Sequence, residues 1–393
     1  MIKNVIAKPV ISMNKENLPL NSLLFSESVT LLQKLIETPS FSGEESAAAD
    51  LVQGYLLSYN VKVKRRRNNV WCYNKYFDES KPTILLNSHL DTVKPNEGYT
   101  KNPFCPEIIG GKLYGLGSND AGGCLVSLLA TFLHYYSYQG LGFNLCFAAT
   151  AEEENSGKNG IKSILPALGK LELAIVGEPT LLQMAVAEKG NLVIDCISTG
   201  RSGHAAREEG DNAIYKCMKD LEWFRSYQFP QQSKSLSPVK MTITAIKAGL
   251  QHNIVPAKCE YTVDIRNDDI FSHEMILETI RKNISSAFTV RPGSLGASAV
   301  PLDHPIVKTG IAIGCKTYGS PTTSDQAWLD IPSVKIGPGD SARSHSSDEF
   351  VFLEEIKKGI SLYIKLLENL PLMLINNPVK YPLNPIAINP NNN

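Results

Sequence analysis

Short apolar runs alternate with amphipathic segments over the first half of the chain. Apolar residues recur at helical spacing over residues 26–58, which predicts two helices, and Ser42 is a candidate cap for the second of them. A further helix, entered through glycines, is predicted over residues 122–136. Three short apolar runs predict buried strands, at residues 83–87, 143–149 and 173–176. Strands that alternate with helices in this way predict a mostly parallel sheet that is covered by helices.

The pattern changes near residue 187, where strands with partial polar–apolar alternation replace the continuous apolar runs. Strands are predicted at residues 191–199, 239–249 and 257–267, and amphipathic helices at 211–227 and 272–288. This β-α-β-β-α order is typical of an open-faced α+β sandwich, with two helices on one face of an antiparallel sheet. The first pattern returns near residue 300.

These changes predict a helix-covered α/β domain with an α+β domain inserted into it. The α/β domain would comprise residues 1–186 and 300–393, and the inserted sandwich residues 187–299. A chain of 393 residues is long enough for two such domains. Residues 377–393 are rich in Pro and Asn and are expected to be poorly ordered.

Charge and hydropathy restrict the partners and the location. The chain has 39 Lys and Arg residues against 39 Asp and Glu residues, a balance that favours neither a nucleic-acid nor a membrane-surface partner. No uninterrupted apolar stretch is long enough to span a bilayer, and the N-terminal residues lack the apolar core of a signal peptide. We therefore expect a cytoplasmic protein with no nucleic-acid or membrane partner.

The eight cysteines are scattered along the chain and form no CxxC pair. This spacing differs from that of a disulfide framework or a thiolate zinc site, and it predicts buried, reduced thiols. A metal site in this chain is therefore expected to use imidazole and carboxylate ligands.

Histidines and acids follow the predicted strands at several places. His89 and Asp91 come directly after the strand at 83–87, and side chains two apart in an extended segment point the same way. The carboxyl ends of parallel strands are where α/β proteins build their sites. The other members of the set are Asp120, the run Glu152, Glu153 and Glu154, Glu178 and His345. Imidazole and carboxylate without thiolate form a catalytic rather than a structural ligand set for zinc.

Each of these residues also has a simpler explanation. An H-x-D triplet is often incidental, and Asp120 could cap the helix that follows it. The three consecutive glutamates could form a solvated charged run. Ser346 and Ser347 beside His345 suggest a serine hydrolase, but the chain has no GxSxG motif. Three adjacent carboxylates after a buried strand repel one another unless a cation or a proton is present. This position favours a metal site more than a solvated charged run would suggest.

An ordered series of motifs, over about residues 27–370, resembles the M20 family of dinuclear zinc hydrolases. Within that family, the closest resemblance is to the branch of acetylornithine deacetylases and succinyl-diaminopimelate desuccinylases. The motifs are SHLDTV, GLGSNDAGG, TAEEENSG, VGEPT, SGHAAREEGDNAI, QHNIVPAKCEYTVDIR and GPGDSARSHSSDEF. Their order and spacing make the resemblance specific.

The resemblance implies a site that holds two Zn²⁺ ions per subunit, for which Co²⁺ could substitute. Asp120 would bridge the two ions. His89 and Glu178 would complete the ligands of the first ion, and Glu154 and His345 those of the second.

The same resemblance assigns roles to two acids beside the ligands. Asp91 would support the His89 ring, and Glu153 would act as the general base. In the family motif an Asp precedes the acid pair, whereas this chain has Glu152 in that place. The roles within the glutamate run therefore depend on the alignment of TAEEE.

The inserted sandwich resembles the family's lid and dimerisation domain. His204, in SGHAA, matches the histidine that the family lends to the active site, often across a homodimer. Asn253 and Arg266 match positions that contact the substrate, with Arg266 assigned to the substrate carboxylate. Alternatively, His204 is a surface residue and Arg266 pairs with a nearby acid. The chain departs from the family pattern after the bridging acid and after the lid histidine, at Ala121-Gly122-Gly123 and Arg207-Glu208-Glu209.

The expected reaction is the zinc-dependent hydrolysis of an N-acyl amino acid to a carboxylate and a free amino acid. N-acetyl- or N-succinyl-ornithine, in arginine biosynthesis, is the leading substrate, and N-acetylcitrulline and succinyl-diaminopimelate are alternatives. A zinc dipeptidase on the same scaffold is a further hypothesis. So is a degenerate scaffold that only binds an amino acid or a partner, although the complete ligand set with Glu153 argues against it.

Overall fold

The structure is a computed structural model that describes residues 20–370. The predictions for the N-terminal residues and for the tail at 377–393 fall outside this range. The helices are α1 (Leu20–Ile36), α2 (Ser46–Ser58), α3 (Gly123–Tyr135), α4 (Ile161–Ile164), α5 (Ala213–Ser226), α6 (His273–Asn283), α7 (Pro305–Ala312) and α8 (Leu353–Glu368). The strands are β1 (Val63–Arg66), β2 (Asn69–Tyr73), β3 (Thr83–His89), β4 (Glu107–Ile109), β5 (Lys112–Tyr114), β6 (Asn144–Thr150), β7 (Leu173–Val176), β8 (Met184–Glu188), β9 (Leu192–Thr199), β10 (Gly203–His204), β11 (Lys240–Ala248), β12 (Ile254–Val255), β13 (Lys258–Arg266), β14 (Ala287–Val290), β15 (Ser298–Ala299), β16 (Thr317–Ser320), β17 (Ser333–Lys335) and β18 (Phe350–Phe352).

A mixed sheet of nine strands, counted over the described residues, forms the centre of the α/β part. Its order is β1-β2-β6-β3-β7-β17-β8-β15, and β16 also pairs with β8. At the centre, β6, β3, β7 and β17 run parallel to one another. Antiparallel neighbours flank this group, with β2 beside β6 and β8 beside β17. The predicted α/β class with a mostly parallel central sheet is therefore confirmed.

Alternate residues of the central strands pack into separate cores on the two faces of the sheet. Ile84 and Leu86 of β3 lie in a large core with α1, α3 and α8, whereas Leu85 lies in a smaller core with α4. Because both faces are buried, the strand reads in the sequence as a continuous apolar run. Polar side chains of such a sheet are accommodated best at the strand ends, where the functional candidates lie.

The inserted segment forms a second sheet with a core of its own. This antiparallel sheet has the order β11-β13-β9-β14. Cys217 and Phe224 of α5 and Ile276 and Ile280 of α6 pack together against it. Burial alternates along β13, as expected when helices cover only one face of a sheet. The predicted open-faced sandwich is confirmed, whereas the domain boundaries at residues 187 and 299 stay predictions.

One local prediction is wrong: Ser42 does not cap α2. That helix begins at Ser46, and the residue before it makes no capping side-chain hydrogen bond. A turn in which Glu44 N–H donates to the Phe41 carbonyl, and a bridge from Phe41 to Thr92, hold Ser42 beside the end of β3 instead. Its hydroxyl therefore donates to Asp91 rather than to the helix.

All eight cysteines lie in the described range, where none of them forms a disulfide and most are buried. Burial raises the pKa of the Cys124 thiol well above its usual range, as expected of an inert thiol in a core. The six buried cysteines thus behave as small apolar core residues, whereas Cys105 is exposed.

Between residues 20 and 370, no helix has the length and apolar character that crossing a membrane requires.

Candidate metal centre

The histidines and acids identified in the sequence meet at the carboxyl edge of the parallel strands. His89 is the last residue of β3, Glu154 closely follows β6, and Glu178 lies two residues beyond β7. His345 follows β17 through a longer segment, and Asp120 lies in the irregular turn before α3. Neighbouring parallel strands end at one edge, so side chains far apart in the sequence converge there.

Asp120 lies between two groups of side chains. Its Oδ1 is 3.2 Å from His89 Nε2, and its Oδ2 is 3.7 Å from His345 Nε2. Glu178 Oε1 is 3.8 Å from His89 Nε2, and Glu154 Oε2 is 2.9 Å from His345 Nε2. The two oxygens of one carboxylate thus face two separate imidazole–carboxylate pairs. This is the arrangement that a ligand bridging two cations requires.

The distances and charges of this cluster fit a pair of metal ions. Tetrahedral zinc with ligands at about 2 Å places neighbouring ligand atoms roughly 3.3 Å apart, and the imidazole–carboxylate distances above lie around that value. Burial, and then repulsion from Asp120 and Glu154, raise the pKa of Glu178 to about 8. Burial and the charge of Glu178 likewise raise the pKa of Glu153 well above its usual range. Bound cations would remove this repulsion, so the donor set fits a pair of divalent cations such as zinc.

The simpler explanations of the acids do not agree with the structure. Helix α3 is entered through Gly122 without a side-chain cap, so Asp120 is not a capping residue. Glu154 exposes only 8% of its side chain, so the glutamate run is not a solvated surface. Within that run, Glu152 is set apart because its carboxylate accepts the backbone and side-chain N–H groups of Asn159, at 3.0 and 2.8 Å. The carboxylate of Glu153 instead lies close to His89 and Glu178, with one ligand atom of each residue within 4.8 Å of the others.

Asp91 is buried beneath the cluster and holds two parts of it. His89 Nδ1 lies 2.9 Å from the Asp91 backbone oxygen, nearer than the 3.6 Å to its carboxylate. The carboxylate accepts the N–H groups of Glu153 and Glu154 at 3.0 and 3.1 Å, and the Ser42 hydroxyl at 2.6 Å. Burial alone would raise the pKa of Asp91, but these hydrogen bonds and the nearby His89 hold it below the usual value. Asp91 thus contacts the His89 ring chiefly through its carbonyl and fixes the glutamate turn through its carboxylate.

Three residues that contact this centre or the chain segments that carry it were missed as functional candidates. Besides Ser42, Glu349 accepts backbone N–H groups from the turn that carries Asp120. Asn119 donates its side-chain N–H to the Asp340 carbonyl and accepts the Asp340 N–H, at 3.0 and 2.9 Å. Glu349 stands within the motif GPGDSARSHSSDEF, but a lone acid gives no sequence signal for a contact with a distant backbone.

The substrate-binding candidates of the inserted sandwich are His204, Asn253 and Arg266. They lie apart from this cluster, and no hydrogen bond or ion pair within residues 20–370 joins them to it. His204 and Asn253 are neighbours: β10 pairs with β12, and Ala205 N–H donates to the Asn253 carbonyl over 3.0 Å. The exposed His204 ring accepts the Ala206 N–H at Nδ1, so its neutral form carries the proton on Nε2. Arg266 is paired with Asp264, through Nε at 2.8 Å and Nη2 at 3.0 Å.

Comparison with known sequences identifies a family. The profile of the family described as peptidase family M20/M25/M40 matches residues 85–369. Among curated relatives, the succinyl-diaminopimelate desuccinylase of Wolbachia pipientis is 26% identical over 383 residues, covering 87% of this chain and 93% of that protein. The acetylornithine deacetylase of Proteus mirabilis is 26% identical over 372 residues, covering 87% of this chain and 96% of that protein.

Comparison with solved structures shows the same fold. The YXEP protein of Bacillus subtilis, described as a dinuclear metal-binding peptidase of the M20 family, aligns with a TM-score of 0.69. The alignment covers 90% of this chain and 99% of that chain at 13% identity. The resemblance that the sequence motifs indicated is therefore confirmed.

Proposed function

The chain is an enzyme of peptidase family M20/M25/M40, and from that premise we propose that it hydrolyses the amide bond of an N-acyl amino acid at a two-zinc centre. The observation that carries the proposal is the position of Asp120, whose two oxygens face His89 and His345 separately. Asp120 would bridge the ions, His89 and Glu178 would hold one, and Glu154 and His345 would hold the other. Co²⁺ would substitute for Zn²⁺ because it takes similar ligands.

Glu153 is proposed as the base of the reaction. When bound, zinc ions would lower the pKa of the attacking water and polarise the acyl carbonyl. The carboxylate of Glu153 accepts a proton from that water as the water attacks the carbonyl carbon, and later returns the proton to the leaving amine. The hydrogen bond from Glu153 N–H to Asp91 fixes the backbone from which the base reaches the site.

The lid residues are proposed to bind the substrate after the sandwich moves towards the metal centre. Nε2–H of His204 would donate to the oxyanion that develops during attack, because Nδ1 already accepts a backbone N–H. Asn253, beside it, would contact the acyl group. The pair with Asp264 engages Nε and Nη2 of Arg266, so the substrate carboxylate is assigned to Nη1.

The proposed substrate is N-acetyl- or N-succinyl-ornithine, in cytoplasmic arginine biosynthesis, with release of a carboxylate and the free amino acid. The names of the two relatives support an acyl amino acid as the substrate class. The second candidate function is a zinc dipeptidase, which is supported by the peptidase description of the family. N-acetylcitrulline and succinyl-diaminopimelate remain alternatives within the first class.

A panel of substrates tests this proposal. The zinc-loaded enzyme is assayed side by side on N-acetylornithine, N-succinylornithine, N-acetylcitrulline, succinyl-diaminopimelate and simple dipeptides. We expect kcat/KM for one N-acylornithine to exceed that for every dipeptide, because the acyl part of a dipeptide carries a free ammonium group that a site built for an acetyl or succinyl group leaves unpaired. Preferential cleavage of a dipeptide would replace the proposed function by the second candidate.

A homodimer that forms through the sandwich is part of the proposal. Within residues 20–370, strand β11 lies at an edge of its sheet, and one side of its backbone is available for another strand. On the adjacent helix α5, Tyr215 and Met218 expose 69% and 58% of their surfaces. An unpaired edge beside exposed apolar side chains is suited to association with a second copy.

Mixing two inactive variants tests both the dimer and the role of His204. His204→Ala is expected to fold and bind zinc but to lose about 100- to 1,000-fold in kcat, the usual cost of one oxyanion donor. If His204 acts across the dimer, subunits of His204→Ala mixed with subunits of Glu153→Ala should regain about a quarter of wild-type activity. Random exchange makes about half of the dimers mixed, and each mixed dimer has one complete site of two. If the mixture stays inactive although mass spectrometry shows mixed dimers, His204 acts in the site of its own subunit.

A further inference from the structure

One buried carboxylate beneath the metal centre has no part in the reaction described above. Glu349 is 2% exposed, and both of its oxygens accept backbone N–H groups from the turn that carries Asp120. Oε2 accepts from Gly117 at 3.1 Å, and Oε1 accepts from Asn119 at 2.8 Å and from Asp120 itself at 2.9 Å. Glu349 is separated from these residues by about 230 positions in the chain, so the contacts are a product of tertiary structure.

The turn is shaped to present its N–H groups to a negative charge. Gly117 has φ of 73°, in the left-handed region, and a Cβ at this position would lie 2.5 Å from a methyl carbon of Thr92. Such a left-handed turn directs successive backbone N–H groups to one side, where they form a site for an anion. The carboxylate of Glu349 occupies that site. The backbone of Asp120 is therefore held on one side by Glu349, while its own carboxylate faces His89 and His345 on the other.

Glu349 joins the chain segment that carries Asp120 to the segment that carries His345. Glu349 lies four residues after His345, and its backbone oxygen accepts the N–H of Gly115 over 2.9 Å. Directly after it, β18 pairs with β5 in an antiparallel register. The segment with His345 and the segment with Asp120 are thus joined at the point where a bridging ligand must reach both ions at once.

We infer that Glu349 is a positioning residue for the bridging carboxylate of Asp120. It touches neither substrate nor metal in this assignment, which rests on the proposed function. By fixing the peptide of Asp120 relative to the His345 segment, it would hold the Asp120 carboxylate within reach of both metal positions. Loss of one such supporting contact typically lowers metal affinity or activity by about 10- to 100-fold.

The test compares Glu349→Gln with Asp348→Asn. Glutamine keeps the size of the side chain, but its amide nitrogen cannot accept an N–H, so at least one donor of the turn loses its acceptor. Asp348 is the adjacent acid, and it accepts the backbone N–H groups of Thr100 and Lys101, away from the metal centre. Both variants replace an acid of the same segment by its amide, which makes Asp348→Asn a matched control.

Zinc binding and the visible spectrum of the cobalt-loaded protein are measured, together with the thermal unfolding of the metal-free form. For Glu349→Gln we expect an affinity for the weaker-bound zinc that is about 10- to 100-fold lower, an altered cobalt spectrum, and a fall in kcat with KM little changed. Asp348→Asn should match the wild type in zinc affinity, cobalt spectrum and kcat. Glu349→Asp, which keeps both acceptor oxygens, should recover part of the affinity.

A purely structural role gives a different result. If Glu349→Gln unfolds at lower temperature but binds both metals with wild-type affinity and the wild-type cobalt spectrum, the inference is wrong. The titration needs no substrate, so a loss of affinity supports the inference even if the substrate panel overturns the proposed reaction. A wild-type chain that takes up no metal would overturn both.

Discussion

Replacing Glu153 with alanine is expected to lower kcat by about 1,000- to 10,000-fold, at the upper end of what a general base contributes. The variant should retain its metals, because the proposed ligands His89, Asp120, Glu154, Glu178 and His345 are all intact. Activity should fall because no other described carboxylate in the glutamate run can replace Glu153 as the base. Glu152 is held by Asn159, and Glu154 lies 2.9 Å from His345.

Metal content by mass spectrometry and kcat on the best substrate of the panel check this prediction. Glu152→Gln is the matched control, since it removes the neighbouring charge from a side chain that accepts hydrogen bonds from Asn159 outside the centre. It should keep most of the activity. Wild-type turnover by Glu153→Ala would exclude Glu153 as the base, and loss of metal from that variant would make it a ligand instead.

Removal of the metals is expected to abolish activity and to destabilise the protein. Each metal ion that binds only the folded state adds about 4 kcal/mol to the free energy of unfolding when its concentration is 1,000 times Kd. Dialysis against a chelator should remove this contribution and the activity together, and addition of Zn²⁺ or Co²⁺ should restore both. Calorimetry and activity assays on the same samples are the measurement. Full activity in a sample shown to be free of metal would contradict the proposed centre.

The metal-free protein should also show a particular dependence on pH. The pKa of Glu178 rises from an ordinary value of 4.5 to about 8 in the folded chain, chiefly through burial and then through repulsion by Asp120 and Glu154. The folded state therefore holds a proton that the unfolded state has released between these two values. The contribution of Glu178 to the free energy of unfolding therefore falls as pH rises from about 4.5 to 8. In the zinc-loaded protein this decline should be absent or much smaller, because the cations neutralise the cluster.

The main features of the fold and the donor set could be predicted from the sequence. The run at residues 83–87 is apolar throughout because both faces of β3 are buried, with Leu85 on one side and Ile84 and Leu86 on the other. Polar and apolar residues alternate along the strands of the inserted segment because helices cover only one face of its sheet. Polar residues directly after such strands, among them His89 and Glu178, were predicted to converge, and they do.

The supporting contacts could not be predicted in this way. Ser42 has the sequence context of a helix cap, yet the local turn at Phe41 delivers its hydroxyl to Asp91. Asp91 was expected to support His89 through its carboxylate, whereas the nearer atom is its backbone oxygen. For Arg266 the sequence allowed both a substrate contact and a pair with a nearby acid, and only the structure identifies that acid as Asp264.

By itself, the sequence determined the periodicities of the strands and helices, the order of the motifs and the kinds of side chain available to hold metal ions. These properties follow from local spacing and side-chain chemistry, which a linear chain displays directly. Only the tertiary structure decided which hydrogen-bond partners hold the site, such as Glu349 beneath Asp120. Such contacts join backbone and side-chain atoms across turns and distant segments, and their geometry depends on how the intervening chain folds.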